Sequence, residues 1–355
     1  MRFVKKAVMV ATRLLFPACE SKKLETKEKL DTSTALLQPF KHQVAGHIGF
    51  YSIDEDHICK PYNESEADFY HQMPSELRDT APALCFEAEL KPDMYSETYD
   101  LCITAINSDS PHEHEHKKLC LDRDAHNETT NTEFRDVFSG LLSDLNPWSL
   151  QCRMRKSAQS LQKFMVFENL TAKFHTPNIL DFKLGTRQHI DSASEEKKHR
   201  QQLKCDKSTS KSLGIRLCGL QYFDNQLQNF QCVNKYSGRS LDVNGLRKFI
   251  NHFFRSSSGN IRLDDCLCLL EQIEDIKKKV ESIPGLRLFG VSLLIILEGS
   301  PDVSYDQPRP VARLIDFAHA SLDPNDSSVD EGCLLGLNNL LLILKDLITS
   351  SDIQQ

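Results

Sequence analysis

The sequence predicts an α+β fold in two parts, from three observations. The chain has 355 residues, enough for two domains or one bilobal enzyme. Between Leu36 and Leu170, short alternating apolar runs separated by turn residues read mainly as strands. Beyond residue 171, strands mix with long segments of helical period. This divides the chain into a variable, disordered leader over 1–35, an N-terminal lobe over 36–170 and a C-terminal lobe over 171–355. Hydrophobic residues make up 40% and charged residues 26%, as in ordinary soluble globular proteins. The longest apolar stretch, LLGLNNLLLILKDLI from Leu334, is broken by two Asn and a Lys-Asp pair. It falls short of the roughly 20 apolar residues a membrane span needs, and reads as a buried helix. Twelve cysteines form no CxxC pair and no zinc-spaced cluster, which fits reduced thiols in the cytoplasm or nucleus.

In chain order, the leader MRFVKKAVMVATRLLFPACESKK carries basic residues and an apolar run interrupted by Arg13, like a poor signal or transit segment. FKHQVAGHIGFYSI and HICKP read as strands around a turn at Asp54-Glu55-Asp56, and ESEADFYHQM reads as a helix. ALCFEAEL and YDLCITAI follow as strands. A polar insert at about 107–146 contains PHEHEHKK, whose alternate His112, His114 and His116 would suit a metal. Its hydrophilic, Ser/Pro/Asp-flanked setting reads instead as a solvated loop. After a hinge at FMVFENLT comes the strand PNILDFKLG, then a helix from Ala193 to about Lys211, with Ser192 and Glu195 as a capping box. GIRLCGLQYF and FQCVNKYSGRSL read as strands, and VNGLRKFINHFFR and DDCLCLLEQIEDIKKKVESI as helices. VSLLIILEG and RLIDFAHA are strands before the final leucine-rich helix.

The charge is unevenly spread. The net charge is −7, yet from Lys183 to Arg239 eleven Lys/Arg face five acids, leaving the remainder at −13. In the 193–211 helix, Lys197, Arg200, Lys204, Lys207 and Lys211 recur at spacings of 3, 4, 3 and 4, stacking five cations on one face. Like charges so placed repel by tenths of a kcal/mol each, so the row calls for an anion or full solvation. Within PNILDFKLG, Ile179, Asp181 and Lys183 share one strand face and Leu180, Phe182 and Leu184 the other. That segment alone leaves a self-satisfied ion pair and a functional site both open. Lys60 ends an apolar strand six residues before Glu66, an arrangement by which kinases hold nucleotide phosphates. Asp316 ends another strand, where a carboxylate is well placed to hold Mg²⁺. There is no HRD-type catalytic loop and no Walker A sequence, so the acceptor is not a protein side chain. Few aromatics interleave the basic helix of this acidic chain, which argues against nucleic acid.

PNILDFKLGTRQH resembles the P-x-x-x-D-x-K-x-G signature of the inositol polyphosphate kinase superfamily. SASEEKKHRQQLKCDKSTSKSLGIRLCGLQYF and NKYSGRSL are most similar to its inositol hexakisphosphate kinase branch. LQPFKHQVAGH, HICKP, EADFYHQMP, NPWSL, SLLIILEG, RLIDFAHA and DEGCLLGLNNL extend the resemblance from Leu36 to Ile348. The resemblance implies a two-lobed kinase-like fold with ATP between the lobes and a substrate-binding segment at about 187–260. It implies that Lys60 contacts ATP phosphates, that Glu66 orients Lys60, and that Glu168 and Leu170 offer backbone groups to adenine. It also implies that Asp181 accepts the acceptor's hydrogen bond, that Lys183 bridges phosphoryl group and substrate, and that Asp316 with Ser292 holds Mg²⁺. Substrate phosphates would fall to Lys197, Lys198, Arg200 and Lys204, with Arg216, Lys235 and Arg239 as further partners. The expected activity is ATP- and Mg²⁺-dependent phosphorylation of inositol hexakisphosphate by a monomer. The alternatives are a multikinase acting on inositol tris- and tetrakisphosphates, and a catalytically silent inositol phosphate-binding module. Ala45, Val291, Cys333 and a short loop between His319 and Asp330 depart from the hexakisphosphate kinase pattern, the loop being closer to the multikinase branch.

Overall fold

A computed structural model describes residues 10–13, 33–36, 38–46, 49–92, 99–106, 163–256, 259–299 and 307–352. The leader expected to be disordered over 1–35 instead holds a strand pair: β1 (Val10–Arg13) runs antiparallel to β2 (Ser33–Leu36), which ends one residue beyond it. The N-terminal lobe is built on a six-stranded antiparallel sheet of order β3-β4-β5-β8-β6-β7. Its strands are β3 (Gln38–Pro39), β4 (Tyr51–Ser52), β5 (His57–Pro61), β6 (Leu84–Pro92), β7 (Tyr99–Ile106) and β8 (Lys163–Glu168). Asp54 closes the β4–β5 turn, its Oδ1 accepting from the amides of Asp56 and His57. Helix α1 (Glu64–Gln72) follows β5; the Asn63 side chain caps it by accepting from Glu66 N.

One predicted strand is lost here. From Lys41 to Gly46 the chain leaves the sheet, because the Gln43 side chain accepts from Phe50 N at 3.0 Å and donates to Ala45 O at 2.8 Å. A side chain thus takes groups that a ladder would use, and Gly46 turns the chain at φ +92°. The polar insert, with PHEHEHKK and NPWSL, lies outside the described residues.

The C-terminal lobe centres on a five-stranded antiparallel sheet of order β11-β10-β9-β13-β14. In chain order come β9 (Pro177–Leu184), α2 (Glu195–Asp206), α3 (Ser210–Leu213), β10 (Ile215–Asp224), β11 (Asn229–Val233), α4 (Lys235–Arg239), α5 (Val243–Phe253) and α6 (Leu263–Glu281). They are followed by β12 (Leu286–Leu288), β13 (Ser292–Glu298), β14 (Val311–Ile315), β15 (Ala320–Leu322) and α7 (Glu331–Asp352); β12 pairs with β15. Three boundaries differ from those predicted. Ser194, not Ser192, caps α2, accepting from Lys197 N. That helix stops at Asp206 with Lys207 as C-cap, so Lys207 and Lys211 fall off the five-cation row. The strand predicted to run through NKYSGR ends at Val233, because Asn234 Oδ1 accepts from Tyr236 N and Ser237 N and starts a helix instead.

The core crosses between the lobes. Phe69, Tyr70 and Leu77 of the N-terminal lobe share one buried cluster with Leu180, Phe182 and Leu184 of β9, Leu293 and Ile295 of β13, and Phe317. Helix α7 joins it through Cys333, Leu337, Leu340 and Leu344, while Leu342, Lys345 and Asp346 face out, the amphipathic pattern of a core helix. Cys59, Cys85, Cys205, Cys218, Cys232, Cys266, Cys268 and Cys333 are free thiols.

Candidate active site

A cleft lies between the two sheets. Its floor is the outer face of the C-terminal sheet: Ile179 and Asp181 of β9, Leu294 of β13, and Ile315 with Asp316 at the end of β14. The register makes this one surface, pairing Asp181 with Leu294 and Lys183 with Ser292 on one side. On the other, Gly219 of β10 faces Asp181 and Arg216 faces Lys183, across a bulge at Cys218. Phe50, Ile58, Lys60 and Phe167 form the roof, and Glu168–Thr171 close one end.

Four charged side chains meet where roof and floor converge. Lys60 Nζ donates to Glu66 Oε1 at 2.6 Å and lies 3.8 Å from Asp316 Oδ1. Lys183 Nζ donates to the Gly290 carbonyl at 2.6 Å and lies 3.4 Å from Asp316 Oδ2. Lys183 therefore pairs with Asp316, and the self-satisfied Asp181–Lys183 pair is not what forms. The same Glu66 oxygen accepts from Phe317 N at 3.1 Å, so one carboxylate ties α1 to the turn after β14. Asp316 sits at φ +68°, a left-handed conformation that costs about 1 kcal/mol in a non-glycine residue. Phe317, stacked on Phe69 at 5.1 Å, anchors that turn.

Asp181 is 2% exposed, its Oδ1 meets no hydrogen-bond partner among the described residues, and the fully buried Ser292 hydroxyl lies close enough to the carboxylate to favour its charged form. Burial pushes the Asp181 carboxyl up to about 6; Lys183 opposes the shift and Asp316 adds to it. For Lys183, burial disfavours the ammonium, but Asp316, then Cys218 and Asp181, leave its pKa raised. Two buried oxygens, those of Asp181 and Ser292, beside two lysines and an aspartate suit a hydrated cation with a phosphate chain.

Cations gather beyond this point. Lys197 Nζ lies 3.4 Å from His319 Nε2, three residues past Asp316. Burial, then Arg239, Arg200 and Arg216, lower the Lys204 pKa, which brings α2, α4 and β10 into one positive field. Gly238 fixes α4 against β10, since a Cβ there would lie 2.3 Å from the Leu217 carbonyl oxygen.

The chain is also similar to known proteins. The inositol polyphosphate kinase family model covers residues 164–345, just over half of the chain. The chain belongs to the inositol polyphosphate kinase family. Rat inositol hexakisphosphate kinase 1 is 29% identical over 88% of this chain and 93% of its own length. Mouse inositol hexakisphosphate kinase 3 is 29% identical, covering 88% and 95%, and human inositol hexakisphosphate kinase 2 is 28% identical, covering 89% and 96%. A crystal structure of inositol phosphate multikinase from S. cerevisiae, in complex with ADP and Mn²⁺, is 26% identical with a TM-score of 0.47, covering 54% of this chain and 86% of that one.

In this inositol phosphate kinase, Lys60, Glu66, Asp181, Lys183, Ser292 and Asp316 converge as a group. The other candidates are more dispersed. Lys198 is drawn to Glu195 at 2.7 Å. Arg216 is buried, its Nη1 donating to Ser210 Oγ at 3.1 Å and contacting Cys205 Sγ at 3.8 Å, so it reaches the site chiefly through its field. Lys235 and Arg239 flank the exposed Tyr236 ring at 5.6 and 5.4 Å. Glu168 N donates to Ala83 O and its carboxylate accepts from Ala83 N, which fixes the end of β8 where Glu168 and Leu170 line the cleft. Sequence reasoning missed the Gly290 carbonyl, the Phe317 amide and His319. Only His319, in the motif RLIDFAHA, left a trace in side-chain chemistry.

Proposed function

We propose that this kinase uses ATP and Mg²⁺ to phosphorylate inositol hexakisphosphate, giving ADP and a diphosphoinositol pentakisphosphate. The observation that carries the reading is the joining of two surfaces. A cleft end with two lysines and an aspartate opens directly onto the positive field of Lys197, Arg200, Lys204, Arg216 and Arg239. An acceptor bearing many phosphates relieves the repulsion that this field stores, which is why its charge is read as a substrate requirement. The inositol hexakisphosphate kinases similar to the chain over most of its length support the same acceptor.

Each side chain then has a role. The base lies against the apolar floor and the Leu170 amide, and Lys60, held by Glu66, takes up donor phosphate oxygens. Asp316, backed by Ser292, holds Mg²⁺, which neutralises charge on the phosphate chain. Lys183 spans the transferred group and the acceptor. An acceptor oxygen forms the new bond to the terminal phosphorus while the bond to the bridging oxygen of ADP breaks. Asp181 orients that acceptor oxygen and takes its proton when it carries one. Positioning and charge account for most of the catalysis in such a transfer.

The test is a panel of inositol phosphates with purified protein, ATP and Mg²⁺. A diphosphoinositol product from the hexakisphosphate is expected. Preference for tris- or tetrakisphosphates would assign multikinase chemistry instead, and polyphosphate binding without ATP turnover would make the chain a silent binding module.

A further inference from the structure

The segment Phe40–Gly46 leaves the N-terminal lobe and is fastened to the other one. At its start Phe40 N donates to Phe50 O at 2.9 Å, within the N-terminal lobe. Further along, Val44 packs with Phe174, Ile179 and Ile296 of the C-terminal side. Its carbonyl lies over Gly219, where a Cβ would come within 2.2 Å of the oxygen. Two residues earlier the His42 ring meets Phe230 of β11 edge-on at 5.4 Å, and its Nδ1 lies 3.0 Å from Gln221 Nε2 of β10.

Gln221 fixes the chemistry of that bond. Its Nε2 also donates to the Pro177 carbonyl at 3.0 Å, so the amide nitrogen, not the oxygen, faces His42. Nδ1 must then accept, and the imidazole is neutral with its proton on Nε2. Phe40, His42 and Val44 line the nucleotide cleft on one side of the strap. On the other, Phe40 and His42 border a second hollow, open to solvent, with Ser52, Asp54 and Ala172. Phe40, Gln43 and Val44 of the strap are buried, and hollows lie on both sides of it, so its end contacts decide where it rests.

We infer that His42 is a positioning residue for the nucleotide: by accepting a hydrogen bond from Gln221 it fastens Phe40–Gly46 across the cleft, and so sets nucleotide affinity and the rate at which ADP leaves. This rests on the proposed use of an adenine nucleotide.

The experiment measures dissociation of fluorescently labelled ADP with Mg²⁺ by stopped flow, alongside steady-state KM for both substrates. His42→Leu should speed ADP release and raise nucleotide KM about tenfold, the worth of one such bond, with acceptor KM unchanged. His42→Asn, whose side-chain oxygen can stand where Nδ1 does, should restore most of the loss. Gln221→Leu should match His42→Leu, and the double variant should be no worse than either. Unchanged ADP release in both leucine variants, no rescue by Asn, or an equal change in acceptor KM would overturn the inference. If the unaltered protein binds no adenine nucleotide, the functional reading itself fails, and this inference with it.

Discussion

Asp181 shows how one residue can be costly to the fold and useful to the reaction. Its carboxyl rises from 3.8 to about 6, so the folded state holds a proton that the unfolded chain has released. Stability is therefore lost as pH climbs from about 4 to about 6, and above that the penalty is constant at about 3 kcal/mol. Asp181→Asn should raise the thermal midpoint at pH 7 while cutting turnover by roughly 10²-fold or more, read by calorimetry and by product formation. A proton held up to about pH 6 also predicts that kcat/KM falls on the acid side of that value, and that Asp181→Asn removes this limb from the pH profile. Lys183→Ala and Asp316→Asn should each abolish turnover with the fold intact by circular dichroism, since both side chains face the cleft. Asp181 and Lys183 were legible in the sequence because strand alternation separates their face from Leu180, Phe182 and Leu184. Their true partners were not. Lys183 answers to Asp316, 133 residues away, and to the Gly290 carbonyl, and no local pattern encodes those contacts.

At the scale of elements, what the sequence misjudged was where a pattern stops. The cation row of α2 reads on through Lys211, yet the helix ends at Asp206, since the next residues adopt a cap and a second short turn. The strand through Phe40–Phe50 has the right apolar content, but Gln43 satisfies Phe50 N from its side chain and the ladder is never built. In both places a local hydrogen bond or cap outweighed periodicity. What survives of the row makes a specific forecast. Lys204 already feels Arg239, Arg200 and Arg216, so Lys204→Ala should raise acceptor KM by about tenfold and leave ATP KM unaltered in initial-rate kinetics. Acceptor KM should also climb with added salt, because the field is partly open to solvent and therefore screened.

In the whole molecule, the order of elements and the split into two lobes were legible, while the contacts that join the lobes were not, since they depend on which faces meet after folding. Chief among these is the bond from the Phe317 amide to the Glu66 carboxylate, the same oxygen that holds Lys60 in the expected pair. Glu66→Gln should therefore loosen both lobes' hold on the site, which would appear as a raised ATP KM together with a lower kcat. A single buried cluster running through both lobes also predicts one cooperative unfolding transition, seen as coincident fluorescence and circular dichroism melts. The same cluster bears on how the chain can be divided. The stretch that carries the family signature, 164–345, holds Asp181, Lys183 and Asp316 but none of Lys60, Glu66, Phe69 or Tyr70. Excised at those limits it would strip Phe317, now fully buried, of the rings that lie 5.1 and 5.3 Å from it, and leave its amide without the Glu66 oxygen. Such a fragment would be sticky and prone to self-association, and its phosphate-rich side would have no donor side to work with: the limits of the signature are not those of the folding unit.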